Sequence, residues 1–202
     1  MKNYIKVNGK KIELTEDQIR EIVESCTDKK GVKLSEKAVG ETCKIGKYEF
    51  IVLEHAKETT AVILKDLLFT DKRFGNNNNY NGSNADDLCN EFAKEIEGIV
   101  GKNNLVKHSV DLTSDDGLKD YGKVARKASL LTANLYRRYV EILDKHKIDK
   151  WWWLATTYST PTHGDKDVVK CVSPRGVIYN NYYFNDFGVR PFCIFDSDIF
   201  VS

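Results

Sequence analysis

Apolar and polar positions follow two different periods along this chain, and these periods predict strands and helices in separate stretches. Residues 4–14 place apolar side chains on both sides of Asn8-Gly9, a dipeptide typical of a tight hairpin turn because both residues must take positive φ. Thr15 and Gln18 then fit a capping box, which marks the start of a helix. The apolar residues that follow at helical spacing are Ile19, Ile22, Val23 and Cys26.

This N-terminal hairpin and helix contain too few apolar residues to bury a core of their own. Residues 27–37 are rich in Lys and Asp and include Gly31, a composition typical of a linker. We therefore predict a small N-terminal appendage and linker over residues 1–38 and one main domain over residues 39–202.

Within the main domain, β-branched and apolar runs predict strands, and two stretches of helical period predict helices. The predicted strands are residues 48–53, 60–64, 105–112, 151–155, 168–172, 176–179 and 189–195. One helix is predicted to begin at Ser83 or Asn84 and the other at Thr132, because these side chains can cap a helix. The helices come early and the strands pair late, which favours an α+β fold over an α/β fold.

Two polar stretches between these elements are candidate binding loops. Residues 75–84 are rich in Asn, which is typical of a solvated turn and also of a ligand loop. Residues 179–186 are rich in Tyr and Asn and lie between strand-like ends. We predict that this second stretch is a loop that presents a polar, aromatic surface.

The consecutive tryptophans Trp151, Trp152 and Trp153 would alternate between the two faces of a strand. Either the first and third are buried together, or the middle one is buried alone, and the remaining face contributes to an aromatic surface. Arg190 precedes a proline near the end of the chain. We predict a structural role for it, in which its five donors bind loop carbonyls or a carboxylate.

The charge and the cysteine content limit the cellular location that we expect and the kinds of partner that the protein could bind. The 31 basic and 30 acidic residues nearly cancel, so the net charge does not indicate a nucleic acid or an anionic membrane, although a local basic patch stays open. The five cysteines are widely spread without a Cys-x-x-Cys spacing, which favours free thiols in a reducing compartment. The first residues do not resemble a signal peptide, and no apolar run could span a bilayer. We expect a cytoplasmic protein.

Catalytic and metal-binding signals are weak. His163 lies in a predicted loop beside Asp165 and is the best catalytic candidate among four histidines, but its sequence neighbours do not suggest a triad or a metal site. Residues 111–117 are Asp-rich but lack the regular spacing and the distal Glu of a calcium loop. No glycine-rich phosphate loop follows a strand. We therefore expect a protein without enzymatic activity, metal or cofactor.

Several stretches resemble a family of unknown function that is widespread in phages and prophages of low-GC Gram-positive bacteria. Its hallmarks are a WWLRS-like strand, here Trp152-Trp153-Leu154-Ala155-Thr156, and a terminal GVRP strand, here Gly188-Val189-Arg190-Pro191. Ala155 stands where the family pattern has Arg. Residues 39–42 and 44–53 also match, so the resemblance covers roughly residues 39–200. Residues 7–19 resemble a leader that is common on phage-encoded proteins.

This family is similar to the C-type-lectin-like and formylglycine-generating-enzyme-like fold. The resemblance implies a lectin-like domain with antiparallel strands, two main helices and long C-terminal loops. The formylglycine activity needs a C-terminal cysteine pair that Cys171 and Cys193 do not match. Residues 184–186 resemble the Trp-Asn-Asp triplet of calcium lectins, but the Glu-Pro-Asn partner loop is missing. Calcium-dependent sugar binding is therefore not expected.

Phage proteins of this fold can carry C-terminal loops that a reverse-transcriptase system diversifies at adenines. Residues 179–186 have the composition and position of such a loop, and a polar loop in an A/T-rich genome is the alternative explanation.

Two classes of function remain open. The first is a phage- or prophage-encoded binding protein that presents Tyr and Asn side chains to a macromolecular partner, such as a host protein of a bacterial defence system like CRISPR-Cas. A receptor-binding protein with variable loops is a variant of this class. The second is an enzyme on a formylglycine-like scaffold with unrecognised chemistry. The predicted binding residues are Trp152, Tyr158, Arg175, Tyr179, Asn180, Asn181, Tyr182, Tyr183, Asn185 and Asp186.

Overall fold

The computed structural model describes residues 4–7, 10–19 and 31–202. Their strands are β1 (Tyr4–Val7), β2 (Lys10–Glu13), β3 (Val32–Lys33), β4 (Thr42–Ile45), β5 (Tyr48–His55), β6 (Thr59–Leu64), β7 (Phe69–Arg73), β8 (Leu105–Val106), β9 (His108–Asp111), β10 (Lys123–Arg126), β11 (Ala128–Ser129), β12 (Trp152–Thr157), β13 (Val168–Val172), β14 (Ile178–Tyr182), β15 (Asp186–Val189), β16 (Phe192–Asp196) and β17 (Phe200–Val201). The longer helices are α1 (Asn84–Val100), α2 (Ala133–Arg138) and α3 (Val140–Leu143), and short 3₁₀ turns lie at Leu34–Glu36, Asp144–His146 and Pro161–His163.

The architecture is mixed α+β, with mostly antiparallel sheets and few helices, and this confirms the predicted α+β class. No helix in the described ranges is long and apolar enough to cross a bilayer.

The N-terminal hairpin is present, since β1 and β2 pair antiparallel. The capping box is also present: Thr15 N–H donates to Gln18 Oε1 at 3.0 Å, and Gln18 N–H donates to Thr15 Oγ1 at 3.2 Å. Residues 16–19 are helical. The predicted turn at Asn8-Gly9 and most of the predicted apolar helix face lie outside the described residues; the affected positions of that face are Ile22, Val23 and Cys26.

The segment predicted as a linker joins the main domain from residue 31 onwards. Val32 pairs with Val201 in the small sheet of β3 and β17. Leu34 is fully buried in the core around the six-stranded sheet. The domain therefore begins before the predicted boundary at residue 39, because a single apolar anchor in a charged stretch leaves no periodic pattern to detect.

Two sheets make up most of the main domain. The six-stranded sheet has the order β11-β16-β6-β5-β4, and β8 also pairs with β16. The five-stranded sheet has the order β14-β13-β12-β15-β7. Its pairs are antiparallel except for β12 with β15, which run parallel where Trp152 lies opposite Gly188. β14 and β7 are therefore the two edges of the five-stranded sheet.

Both helix starts agree with the predicted caps. Ser83 Oγ accepts the N–H of Asp86 at 3.1 Å ahead of α1, and Thr132 Oγ1 accepts the N–H of Leu135 at 3.2 Å ahead of α2. α1 covers one side of the six-stranded sheet through Phe92. The helices α2 and α3 instead cover one face of the five-stranded sheet.

The three tryptophans alternate between the two faces as predicted, but burial is not confined to one face. Trp152 is 2 % exposed and packs edge-on against Tyr136, while Trp153 is 0 % exposed and packs edge-on against Phe74. Trp151 is only partly buried. Adjacent residues are both buried because the five-stranded sheet is covered on both faces, one by α2 and α3 and the other by the Phe74 side of the core. Trp152 therefore cannot contribute to a binding surface, and its prediction as a site residue is corrected.

The structural role predicted for Arg190 is confirmed. Its side chain is buried, its Nε donates to the carbonyl of Leu64 at 2.8 Å, and its Nη2 donates to the carbonyl of Lys65 at 2.9 Å. The guanidinium carbon lies 5.2 Å from the centre of the Trp152 ring. Burial lowers the pKa of Arg190 to about 10, which still leaves it protonated at neutral pH. Arg190 thus fixes the end of β6 against β12.

Trp153→Ala is expected to lower the free energy of unfolding by ~3–5 kcal/mol, because a fully buried ring leaves a cavity behind. The variant also loses the bond from Trp153 Nε1 to the carbonyl of Lys72. Urea denaturation followed by circular dichroism measures the loss. Trp151→Ala is the matched control and should lower the free energy of unfolding by less, since that ring is partly exposed. Equal losses for the two variants would contradict the packing described above.

Candidate functional site

The stretch predicted as a loop, residues 179–186, is mainly strand. Residues 179–182 belong to β14 and pair with β13, residues 183–185 form a short connection, and β15 begins at Asp186. The Asn content favoured a loop at the sequence level, but Tyr fits a pleated edge well and the neighbouring β13 supplies the ladder. The candidate site is therefore held on a sheet edge.

Three large rings lie exposed along this edge. Tyr179, Tyr182 and Phe184 are 49 %, 52 % and 46 % exposed. The rings of Tyr182 and Phe184 stack with centroids 5.2 Å apart and an interplanar angle of 5°. Tyr179 packs edge-on against Trp151, with 5.2 Å between the ring centroids. We call Trp151, Tyr179, Tyr182 and Phe184 the β14 aromatic patch.

Two of these four residues were missed as site residues. Phe184 lies inside the predicted stretch, and the signal that could have found it is a large apolar ring among polar neighbours. Trp151 was considered only as part of the tryptophan run. Trp151 is partly exposed because it lies just before the first residue of β12, and the sequence pattern does not reveal where that strand begins.

Two of the predicted Asn residues, Asn181 and Asn185, form hydrogen bonds that hold the connection between β14 and β15. Asn185 Nδ2 donates to Asn181 Oδ1, and the same oxygen accepts the N–H of Tyr182 at 3.0 Å. Asn180 is exposed on the strand. Asp186 is exposed and lies opposite Arg73 in the pair of β15 with β7.

Tyr183 is a structural anchor. It is half-buried and packs against the core on the Phe74 side of the five-stranded sheet. Its N–H donates to the carbonyl of Asp167 at 2.9 Å, and its carbonyl accepts the N–H of Phe74 at 2.9 Å. Tyr183 therefore holds the connection in place, in contrast to the neighbouring Tyr182 and Phe184.

Tyr158 lies on the side of β13 away from β14, where its N–H donates to the carbonyl of Val168 at 3.0 Å, and Arg175 lies before β14. Tyr158 is exposed, and Lys170 Nζ is 5.3 Å from the centre of its ring. Lys170 is opposite Asn180 in the pair of β13 with β14, so their side chains share a face. Arg175 is exposed in the turn that joins these strands.

The surroundings of the patch carry little free charge. The ammonium of Lys170 is buried and lies 2.6 Å from Asp115 Oδ2. Arg137 Nη2 lies 3.1 Å from the other oxygen of Asp115. The charge of Lys170, which lies opposite Asn180, is therefore neutralised within the protein, and β14 itself carries no charged side chain.

His163 contacts a different carboxylate from the one that the sequence suggested. Its Nδ1 lies 3.0 Å from Asp116 Oδ2, whereas Asp165 accepts backbone N–H groups. Hydroxyl bonds from Ser114 and Ser159, each 2.5 Å long, and the contact with His163 hold the pKa of Asp116 well below its usual range. Within the described ranges, no hydroxyl or thiol is hydrogen-bonded to the His163 ring. The Asp116 cluster holds the segment that follows β12.

The described cysteines are buried and free, and they are Cys43, Cys89, Cys171 and Cys193. Burial raises the pKa of the Cys43 thiol to about 11 and those of Cys89 and Cys171 to about 12. These thiols are protonated at neutral pH and are therefore weak nucleophiles. Cys26 lies outside the described residues. Among the residues described, no group of three or more His, Cys, Asp or Glu side chains could hold a metal ion.

A cleft outside the β14 aromatic patch has a volume of about 260 Å³ and is lined by residues that include Glu54, His108 and Phe192. Glu54 is already occupied, because it accepts the hydroxyl of Tyr139 at 2.6 Å and also a bond from Arg138. His108 packs edge-on against Phe192, and burial lowers its pKa to about 4. Within the described residues, His108 Nδ1 is the buried side-chain polar atom left without a hydrogen-bond partner, and His108 lines this cleft.

The His108 environment predicts a pH dependence of stability. In the folded protein the imidazole stays neutral down to about pH 4, whereas its ordinary pKa is 6.5. Between these values the unfolded chain binds more protons, so stability should fall as the pH is lowered, by on the order of 3 kcal/mol in total. His108→Gln cannot titrate and should flatten this dependence. Urea denaturation at several pH values measures it, and identical slopes for both proteins would argue against this role.

Comparison with known proteins adds no relative. The chain matches no protein-family model, no curated protein and no solved structure.

Proposed function

We propose that this protein is a non-enzymatic binding protein that uses the β14 aromatic patch to contact a macromolecular partner. The observation that carries the proposal is that Tyr179, Tyr182 and Phe184 lie about half exposed along one uncharged strand and its connection. Single exposed apolar residues are ordinary on protein surfaces, whereas here each face of the strand end carries a pair of rings, Tyr179 with Trp151 on one face and Tyr182 with Phe184 on the other.

The patch is suited to binding because its rings are held in place before a partner arrives. Tyr182 stacks on Phe184, and Tyr179 packs against Trp151. Such contacts restrict the side-chain rotamers, so less conformational entropy is lost on association. Tyr also combines a large apolar area with a hydroxyl, which is the composition of antibody binding surfaces.

A protein partner fits this surface better than a nucleic acid does. Binding to a phosphate backbone depends mainly on Lys and Arg side chains that neutralise phosphates. β14 carries no charged residue, and the ammonium of Lys170 beside it is paired with Asp115. The aromatic and polar character matches the buried centre of a protein interface.

The setting that we propose follows from the motif resemblance described above. The WWLRS-like and GVRP stretches are adjacent in the fold, where Trp152 lies opposite Gly188, and this adjacency supports reading them as one family pattern. On that basis we propose a phage or prophage origin, a C-type-lectin-like domain and a cytoplasmic host protein as partner. A component of a bacterial defence system such as CRISPR-Cas is the proposed class.

A triple variant tests the patch: Tyr179→Ala, Tyr182→Ala and Phe184→Ala combined. Tyr183 is kept, because its packing is structural. We expect a native fold and an affinity for the partner reduced by roughly 100-fold or more, since aromatic anchors at interfaces contribute about 1–2 kcal/mol each. Affinity capture from bacterial lysate, followed by titration of the captured protein, measures the loss.

Phe200→Ala is the matched control, because this ring is 69 % exposed but lies on β17, outside the patch. It should capture the partner as the wild type does. Capture of the same protein by the triple variant would refute the patch as the binding site. Failure of the triple variant to fold, seen in its thermal melting curve, would show that the three rings are structural.

A further inference from the structure

Two hydrogen bonds determine which backbone groups of β14 face β13. Ser173 N–H donates to the carbonyl of Val177 at 2.9 Å, at one end of the strand pair. Tyr183 N–H donates to the carbonyl of Asp167 at 2.9 Å, at the other end. The pairing between these two bonds is continuous and has no bulge. Both bonds therefore belong to one ladder, and together they determine which residues of β14 form backbone hydrogen bonds with β13.

In an antiparallel pair, residues that exchange backbone hydrogen bonds alternate with residues that do not. The phase set by the two bonds places Tyr179 and Asn181 among the residues bonded to β13. The backbone groups of Ile178, Asn180 and Tyr182 therefore point away from β13, towards the open side of the sheet.

Of these three residues, only Tyr182 has its outward backbone groups hydrogen-bonded within the described chain. The N–H of Tyr182 donates to Asn181 Oδ1 at 3.0 Å, and its carbonyl accepts the N–H of Asn185 at 3.0 Å. β14 is the edge of the sheet, so no strand of the described chain covers its outward side. The N–H and carbonyl groups of Ile178 and Asn180 are thus left for a neighbouring strand.

The two edges of this sheet differ in a way that bears on pairing. β7, the opposite edge, carries exposed Asp71, Lys72 and Arg73. Charged edges are how proteins prevent unwanted strand pairing. β14 reads Ile-Tyr-Asn-Asn-Tyr and has no charge, no proline and no bulge. One edge is protected and the other is open.

The side chains of β14 indicate what an added strand would contain. Side chains alternate between the faces of a strand, so Tyr179 projects from one face and Asn180 and Tyr182 from the other. A strand beside β14 would place one of its side chains across from Tyr179, where an apolar or aromatic residue fits. In an antiparallel addition proline would not fit opposite Ile178 or Asn180, because the residue at those places donates its N–H to β14.

We propose that the partner protein binds by strand addition, in which an extended segment pairs with Ile178 and Asn180 and places an apolar side chain against Tyr179. The inference rests on the proposed function, because it concerns the same surface, and it adds the backbone mode and the chemistry of the bound segment. Main-chain bonds supply affinity in this mode, and alternate side chains supply specificity.

Asn180→Pro and Asn180→Ala form a matched pair for the test. Proline removes the outward N–H of residue 180 but no bond to β13, and edge strands tolerate proline in that orientation. Alanine removes the same side chain and keeps the N–H. The probe is a display library of random peptides panned on the wild-type chain. Selected peptides should bind Asn180→Ala as they bind the wild type, and Asn180→Pro at least ~10-fold more weakly.

The triple variant of the patch separates the two proposals. Peptides that lose affinity for the triple variant but not for Asn180→Pro would overturn strand addition and leave the aromatic surface standing. Peptides indifferent to both variants would overturn both proposals. A panning that enriches no peptide on the wild type over Asn180→Pro would overturn strand addition. Self-association of the free chain that Asn180→Pro abolishes, measured by sedimentation, would make a second copy the occupant and overturn the partner segment.

Amide hydrogen exchange provides a second measurement that needs no variant. The amides of Ile178 and Asn180 should exchange quickly in the free protein, because they face solvent, and slowly in the complex with a selected peptide. The amides of Tyr179 and Asn181 should be protected in both states. Fast exchange of Ile178 and Asn180 in the complex would overturn the proposal even if Asn180→Pro failed to fold.

Discussion

The buried guanidinium of Arg190 joins the two main sheets. It lies where the chain passes from β15 to β16, that is, from one sheet to the other. It donates to the carbonyls of Leu64 and Lys65 at the end of β6 and rests on the Trp152 ring of β12. A buried cation is tolerated only when its donors are satisfied, so these partners must keep their positions together. The parallel contact of β12 with β15 lies beside this point, and the placement of the five-stranded sheet depends on it.

The candidate site depends on that placement through a short series of contacts. β12 is rigid because Trp152 and Trp153 are packed on opposite faces. β13 pairs with β12 and carries β14 at the edge. Tyr183 then returns the chain to the core. Sites built on strands are held more firmly than sites on loops. The exposed rings therefore project from a fixed support, and the open backbone groups beside them are aligned with it.

The composition of residues 179–186 points to the candidate site but does not predict its conformation. The Tyr- and Asn-rich stretch was found from composition, and Tyr179 and Tyr182 are indeed exposed. Whether such a stretch is a loop or a strand depends on a partner strand, and β13 is supplied from elsewhere in the chain. The same dependence on distant parts of the chain explains why the burial of Trp152 was not predicted together with that of Trp153. Alternation predicts which residues share a face, but it cannot tell whether one or both faces of a sheet are covered.

The sequence by itself determined the local features: the α+β class, the N-terminal hairpin, the helix starts at Ser83 and Thr132, and the structural role of Arg190. Each of these depends on neighbours within a few residues or on the chemistry of one side chain, so it leaves a pattern in the sequence. Only the tertiary structure decided the order of strands, the burial of Leu34 and Trp152, and the open edge at β14. These depend on pairings between residues far apart in the chain, and such pairings are set by the packing of the whole core.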